Sequence, residues 1–396
     1  MASDVIYFFM VVKMKIIIAP DSFKESLTAK QAARAIEAGF MAVFPAAKYL
    51  CFPMADGGEG TVDALVAAKG GQRIELAVAG PLKTLVKAYY GLLDNGDTAV
   101  IEMAAASGLM QVPLDQRNPL LTTSFGTGQL MLAALDHGVK KIILAIGGSA
   151  TVDGGIGMMQ ALGASFYRKD GHLLEFVAKE MAELERIELS TLDSRLQQCQ
   201  IEIVCDVNNP LIGQHGAAKT FAPQKGATDE MVTHLEQGLL HYADIIQSMT
   251  GTDYRYLPGS GAGGGISVAA LAFLNATLCS GIETVCQAMH FKDELATTDL
   301  VIVGEGSMDG QTLNGKALIG IAKLAAQYGI PVIAIVGIQG KNIAAVYQQG
   351  VNAVFSILPR VLSQQAALEQ GELNLQHCAY NIAKVLQCGI ILAKNY

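Results

Sequence analysis

The chain has 396 residues, 51% hydrophobic and 16% charged, with 28 Lys plus Arg against 36 Asp plus Glu for a net charge of −8. That is enough chain for two or three domains with ample core, and too apolar and too sparsely charged for a disordered protein. An acidic balance without a basic cluster argues against nucleic acid as the main partner.

Residues 1–13 are expected to be an extension outside the fold, from an upstream start codon. Their apolar run, Val5–Val12, is far too short to span a bilayer, so no membrane partner is expected. No charged segment precedes that run and no A-x-A site follows it, so it does not read as a signal peptide. Met14-Lys-Ile-Ile-Ile-Ala-Pro20 reads as the natural start. The seven cysteines (Cys51, Cys199, Cys205, Cys279, Cys286, Cys378 and Cys388) are odd in number and form no C-x-x-C pair. They are expected to be small buried hydrophobes in a reducing cytoplasm. His234 and His241 share a helix face but lie too far apart for the usual zinc-ligand pair.

Lys15 to Ala19 is β-branched and apolar and predicts a buried strand. The loop behind it sets Asp21, Ser22 and Lys24 at a strand-to-helix junction. Thr28 and Gln31 predict a capping box for a helix over residues 29–43. Tyr49 to Met54 predicts a second strand. In the Ala55-Asp-Gly-Gly-Glu-Gly-Thr61 loop that follows, Gly57 and Gly58 beside Asp56 let a backbone come close to a ligand. Arg73–Ala79, Leu85–Leu93 and Thr98–Met103 then predict short strands, with a hairpin turn at Asp94-Asn-Gly-Asp97. The change from βα units to successive strands predicts a new domain from about residue 66.

Thr122–Gln129 opens a helix running to His137, and Lys141–Ile146 predicts another buried strand. The loop Gly147-Gly-Ser-Ala-Thr-Val-Asp-Gly-Gly155 follows. Its backbone donors at Gly147, Gly148 and Ser149, with Asp153 nearby, suit a carboxylate or phosphate group. Residues 167–200 are polar and carry no recognisable site. Gln200–Val204 predicts a strand with Asp206 and Asn208 at its end. Lys219 and Lys225 come next, then a helix over residues 229–249. Gly259–Gly265 matches G-x-G-x-x-G, but Pro258 and two tyrosines precede it instead of a strand, so the dinucleotide fingerprint fails. A tight loop that cups a phosphate through Gly263 and feeds a helix from Ile266 to Asn275 is the expectation.

The stretch Asp299–Lys316 carries the densest set of ligand-type groups. Leu300–Val303 predicts a parallel strand. A polar loop with Glu305, Asp309, Thr312 and Lys316 follows, and then a helix to Tyr328 that Gly329 and Pro331 stop. Such groups, between the carboxyl end of a strand and a helix start, lie where open α/β sheets bind ligands. Gly310–Lys316 spells G-x-x-x-x-G-K, but Ala317 lacks the hydroxyl of a true P-loop. Strands near residues 333 and 354 and a last helix over 375–392 complete a run of βα units. The predicted arrangement is an α/β fold with one parallel-sheet domain from residues 14–65 plus 291–396 and an inserted α/β domain over 66–290.

Seven segments in order resemble the type-1 glycerate kinase family: residues 19–24 (Ala-Pro-Asp-Ser-Phe-Lys), 53–61, 147–155, 205–211, 223–227 (Pro-Gln-Lys-Gly-Ala), 259–265 and 304–316. The resemblance implies a flavodoxin-like domain built from both termini, an inserted domain, and an active-site cleft between them. It implies ATP-dependent phosphorylation of D-glycerate, toward 2-phosphoglycerate, with Mg2+. Magnesium takes carboxylates, which makes Asp206, Glu305 and Asp309 the metal candidates. Lys24 and Lys316 are candidates to neutralise phosphate, and Asp21 and Asp56 to orient or deprotonate the glycerate hydroxyl. Ser22, Gly57, Gly58, Gly147, Gly148, Ser149, Asp153, Asn208, Lys225, Gly263 and Thr312 are the substrate- and phosphate-binding candidates. Ser307 departs from the family, where relatives often carry Arg. The alternatives are a kinase for another small hydroxy acid and a non-catalytic two-domain protein that binds a carboxylate.

Overall fold

The computed structural model describes residues 14–23, 25–54, 60–308 and 317–394. They fall into two compact units, one within Met1–Asp56 and Val285–Tyr396, the other within Gly57–Thr284.

The chain opens with β1 (Lys15–Pro20), α1 (Ala29–Met41) and β2 (Lys48–Cys51). The second unit follows with α2 (Thr61–Lys69), β3 (Gln72–Ala79), β4 (Leu85–Leu93), β5 (Thr98–Glu102), α3 (Ala104–Ser107), α4 (Phe125–Asp136), β6 (Lys141–Ala145) and α5 (Ile156–Ala161). It continues with β7 (Ser165–Arg168), β8 (Leu184–Glu188), β9 (Gln200–Val204), α6 (Ala217–Phe221), α7 (Asp229–Thr250), α8 (Ile266–Phe273) and β10 (Thr277–Cys279). Helix α9 (Gly281–Ala288) leads back to the first unit, which adds α10 (Phe291–Leu295), β11 (Leu300–Met308), α11 (Ala317–Gln327), β12 (Val332–Gln339), β13 (Ala353–Ser356), α12 (Gln364–Glu369) and α13 (Gly371–Lys394).

The first unit is a five-stranded parallel sheet in the order β13-β12-β11-β1-β2. Numbered within the unit this is 2-1-3-4-5, the flavodoxin-like order, whose direction reverses between β1 and β11. Ile16, Ile17 and Ile18 of β1 are all at 0% exposure, so both faces of the sheet are covered. That double burial explains why β1 reads as an unbroken apolar run instead of an alternating one. Ile16 and Ile18 join a core with Ile36 and Phe40 of α1 and Leu375 and Ile382 of α13, while α11 packs against β11 and β12. The capping box of α1 is present: Gln31 N donates to Thr28 Oγ1 at 3.3 Å and Thr28 N to Gln31 Oε1 at 3.0 Å.

The second unit is built on a six-stranded mixed sheet, β10-β9-β6-β5-β4-β3. The β3–β4–β5 part is antiparallel; β5, β6, β9 and β10 run parallel. The sequence placed the change of domain near residue 66. By packing, α2 goes with the second unit, against β3, β4 and β5, because Val62 and Val66 lie over the bare backbone of Gly91. Residues 165–188 contain the small antiparallel pair β7–β8.

Two expectations need correcting. Strand β11 runs on to Met308, so Glu305 lies inside it, paired with Val336, and not in the loop. The cysteines are not uniformly buried: Cys199 and Cys286 are, whereas Cys51 and Cys388 are exposed. Among the described residues no helix is long and apolar enough to cross a membrane.

Candidate active site

In the first unit the described candidates Asp21, Ser22 and Glu305 lie where the sheet order reverses. Asp21 N donates to Gly304 O at 2.8 Å, which ties the end of β1 to β11. Ser22 N turns back onto Asp21 Oδ1 at 2.6 Å, which orients the carboxylate at the strand end. Glu305, 6% exposed, sits one residue beyond Gly304 on β11. Phe52 N and Met54 N donate to Ile18 O and Pro20 O, both at 2.8 Å, so residues 52–54 run along β1 toward the same edge. Lys24, Asp56, Gly57, Gly58, Asp309, Thr312 and Lys316 lie outside the described residues.

In the second unit the parallel strands β5, β6, β9 and β10 end at one edge, and the candidate loops leave from it. The loop after β6 holds Gly147, Gly148 and Ser149. It is stitched to the segment after β5 by Leu109 N to Gly148 O at 2.8 Å and Ala150 N to Ser107 O at 2.9 Å. It is held to the loop 259–265 by Gly154 N to Gly264 O at 3.0 Å. Gly264 has φ +68°, and a Cβ there would overlap the Thr151 carbonyl oxygen. Glycine is therefore what lets these two loops touch. Gly263, also at positive φ, lies over Ile146.

Beneath this loop is a buried polar network. Asp153 is 0% exposed. Its Oδ2 accepts from Ser124 N at 2.8 Å and Ser124 Oγ at 2.7 Å, and its Oδ1 from Gly155 N at 3.1 Å and Thr151 Oγ1 at 3.2 Å. Met158 N donates to Ser124 Oγ at 2.9 Å. Amides that open the short helix α5 are thus taken by the chain's own Asp153 and Ser124. Lys225 is 2% exposed and donates to Ser149 Oγ and Thr151 O, both at 2.6 Å. Burial pushes its ammonium down to about 7, against the opposing pull of Asp153. Both groups brace the loop from below.

After β9, Asp206 Oδ1 accepts from Gly281 N at 2.9 Å and Ser280 Oγ at 3.1 Å, so it binds the opening of α9. Asn208 is exposed two residues on. Among the described residues no three His, Cys, Asp or Glu side chains gather into a metal site.

Sequence reasoning missed Glu102 and Ser124. Glu102 ends β5, and burial pushes its carboxyl up to about 7. A lone carboxylate closing Thr-Ala-Val-Ile-Glu, an otherwise uncharged strand, was the available signal.

The second unit therefore presents polar, glycine-rich loops at the carboxyl edge of its parallel strands, and the first sets Asp21 and Glu305 where its strand order reverses, the place at which open α/β sheets bind ligands. A family model described as the glycerate kinase family matches residues 16–387. The chain is 50% identical over 370 residues to the glycerate kinase of Halalkalibacterium halodurans, covering 93% of this chain and 97% of that one. It is 47% identical over 377 residues to the glycerate 2-kinase of Escherichia coli, covering 95% and 99%. A crystal structure carrying the name glycerate kinase 2, from Salmonella typhimurium LT2, superposes with a TM-score of 0.85 at 48% identity, covering 95% of this chain and 99% of that one. The chain belongs to the glycerate kinase family.

Proposed function

We propose that this chain transfers the terminal phosphoryl group of ATP to the 2-hydroxyl of D-glycerate, with magnesium. The observation that carries the reading is near-complete coverage at about half identity by relatives named glycerate kinase and glycerate 2-kinase.

Phosphoryl transfer asks a protein for positioning and charge neutralisation more than for covalent chemistry. The residues fit that demand. Carboxylates are the donor type magnesium takes, and Asp206, Glu305 and Asp309 are the candidates to hold it. When bound, the ion would offset charge on the phosphates. Lys24 and Lys316 are assigned to phosphate neutralisation. Asp21 and Asp56 are assigned to the glycerate hydroxyl, with Asp21 already oriented by the Ser22 amide. The Gly147–Ser149 backbone is assigned to the anionic end of the ligand, and Asp153 and Lys225 hold that loop from beneath.

The test is turnover of purified protein with D-glycerate, ATP and magnesium, followed by NMR of the product. ADP release and a phosphate on the 2-position are expected. No ADP sinks the reading as a whole, and phosphate on the 3-position overturns the choice of hydroxyl.

A further inference from the structure

Glu102 is a carboxylate placed where a strand core has no use for one. Every residue of β5 is buried, and Glu102 itself is 2% exposed. A buried charge persists where donors meet it. Here Oε1 accepts from the Val62 amide at 2.7 Å and Oε2 from the Tyr89 hydroxyl at 3.4 Å. Val62 lies in the first turn of α2, and that end of a helix favours an anion. The charged groups facing this cluster are Asp63 on α2 and Arg73 and Glu75 on β3, with Glu75 opposite Tyr89 in the sheet and 3.4 Å from Arg73. Arg73 stacks 3.6 Å over the Tyr89 ring and reaches Asp63 at 3.3 Å.

The backbone on which Glu102 sits is tied to the glycine loop. Glu102 pairs with Ala145 across β5 and β6, and Met103 N donates to Ala145 O at 2.9 Å. The turn that follows carries the bonds to Gly148 and Ala150. One side chain thereby couples the start of α2 to the loop assigned to the ligand's anionic end.

We propose that Glu102 is a positioning residue for glycerate phosphorylation, holding as a carboxylate the start of α2 in register with the Gly147–Asp153 loop. This rests on the kinase reading above. Burial raises its carboxyl most strongly and Asp63 adds to that, while the Val62 and Gly60 amides and Tyr89 pull it down, leaving it at about 7. In acid the group takes up a proton and its hold on Val62 weakens. The sign for stability is opposite. The folded value lies above the ordinary carboxylate value, so stability falls as pH rises toward 7, and the ionised group is a net cost above it. A residue that costs stability and is there for position should show itself in turnover.

The experiment compares wild type, Glu102→Gln and Tyr89→Phe in two readouts across about pH 6–9. One is kcat/KM for D-glycerate; the other is hydrogen exchange of the peptide containing Val62. Wild type is expected to lose kcat/KM and Val62 protection together on acidification through about pH 7. Glu102→Gln removes that limb and lowers the alkaline plateau by roughly tenfold or more, as displaced site groups do. Its melting temperature at about pH 8 is equal or higher. Tyr89→Phe removes a donor to the carboxylate and moves the limb to higher pH. A Glu102→Gln protein with the wild-type limb and plateau, or one whose lost rate merely follows a lower melting temperature, overturns the proposal. Should that variant not fold, an unmoved limb in Tyr89→Phe overturns it. Exchange at Val62 needs no turnover: protein without kinase activity fails the functional reading, whereas Val62 exchange that ignores pH fails the tether itself.

Discussion

Lys225 Nζ lies 2.6 Å from Ser149 Oγ, 76 positions earlier in the chain, and donates a hydrogen bond to it in a buried setting. A lysine so enclosed holds its proton weakly. Its folded value of about 7 lies below the ordinary 10.5. Between those two pH values the unfolded chain binds more protons, so this group makes stability rise with pH across that window and costs stability fully below it. Urea unfolding of wild type and Lys225→Met should therefore diverge. The wild-type free energy gains on the variant from about pH 7 toward pH 10. A difference between the two proteins that does not change with pH would mean that the ammonium is well solvated.

Two glycines with nearly the same φ make a controlled pair. Gly264 (φ +68°) meets the Thr151 carbonyl, whereas Gly329 (φ +70°) has nothing within 4 Å of a built Cβ. Gly329→Ala should cost about 1 kcal/mol, from the left-handed backbone alone. Gly264→Ala should cost about 3 kcal/mol or more, because the loops 147–155 and 259–265 must part. Equal losses in urea unfolding would show that contact between these loops does not matter.

Asp206 has a structural task at the opening of α9 and an assigned task toward magnesium. Asparagine keeps an oxygen for Gly281 N and removes the charge that a cation needs. Asp206→Asn should lower stability by no more than about 1 kcal/mol. It should raise the magnesium concentration for half-maximal turnover by roughly tenfold or more. A fall in stability with no change in magnesium dependence leaves Asp206 as a cap only.

The strands were legible because their composition carries the signal. Lys15–Pro20 and Leu300–Val303 are apolar on both faces, and helices do cover both faces. The junction of β1 with β11 follows from βα alternation at the two ends of the chain. What did not show was which polar side chains turn inward. Asp153 and Lys225 read as ligand-type residues because they lie in or after glycine-rich loops. The donors to Asp153 come partly from Ser124, 29 residues away, and only the packed structure brings that serine beneath the loop. Glu305 reads as a loop residue for a local reason: Gly304 and Gly306 suggest the end of a strand, yet β11 pairs with β12 at Gly304 and Glu305 and again at Ser307 and Met308. Glu102 escaped notice because its partner, the Val62 amide, is a backbone group that no side-chain pattern reports.

The pairing of β1 with β11 has a consequence for how the protein is made. Lys15 N bonds to Asp299 Oδ2 at 2.8 Å across 284 residues of sequence. At roughly 5–20 residues per second, a ribosome spends on the order of a quarter of a minute to a minute between them. During that time β1 has emerged with only β2 to pair with, and the side that will receive β11 is an open, all-apolar edge of the kind that recruits other chains. All of Gly57–Thr284 is synthesised in the interval, so the inserted unit is complete before its host sheet can close. Nascent chains stalled before residue 300 should be the species that chaperones hold, and shortening the wait by circular permutation should ease that dependence.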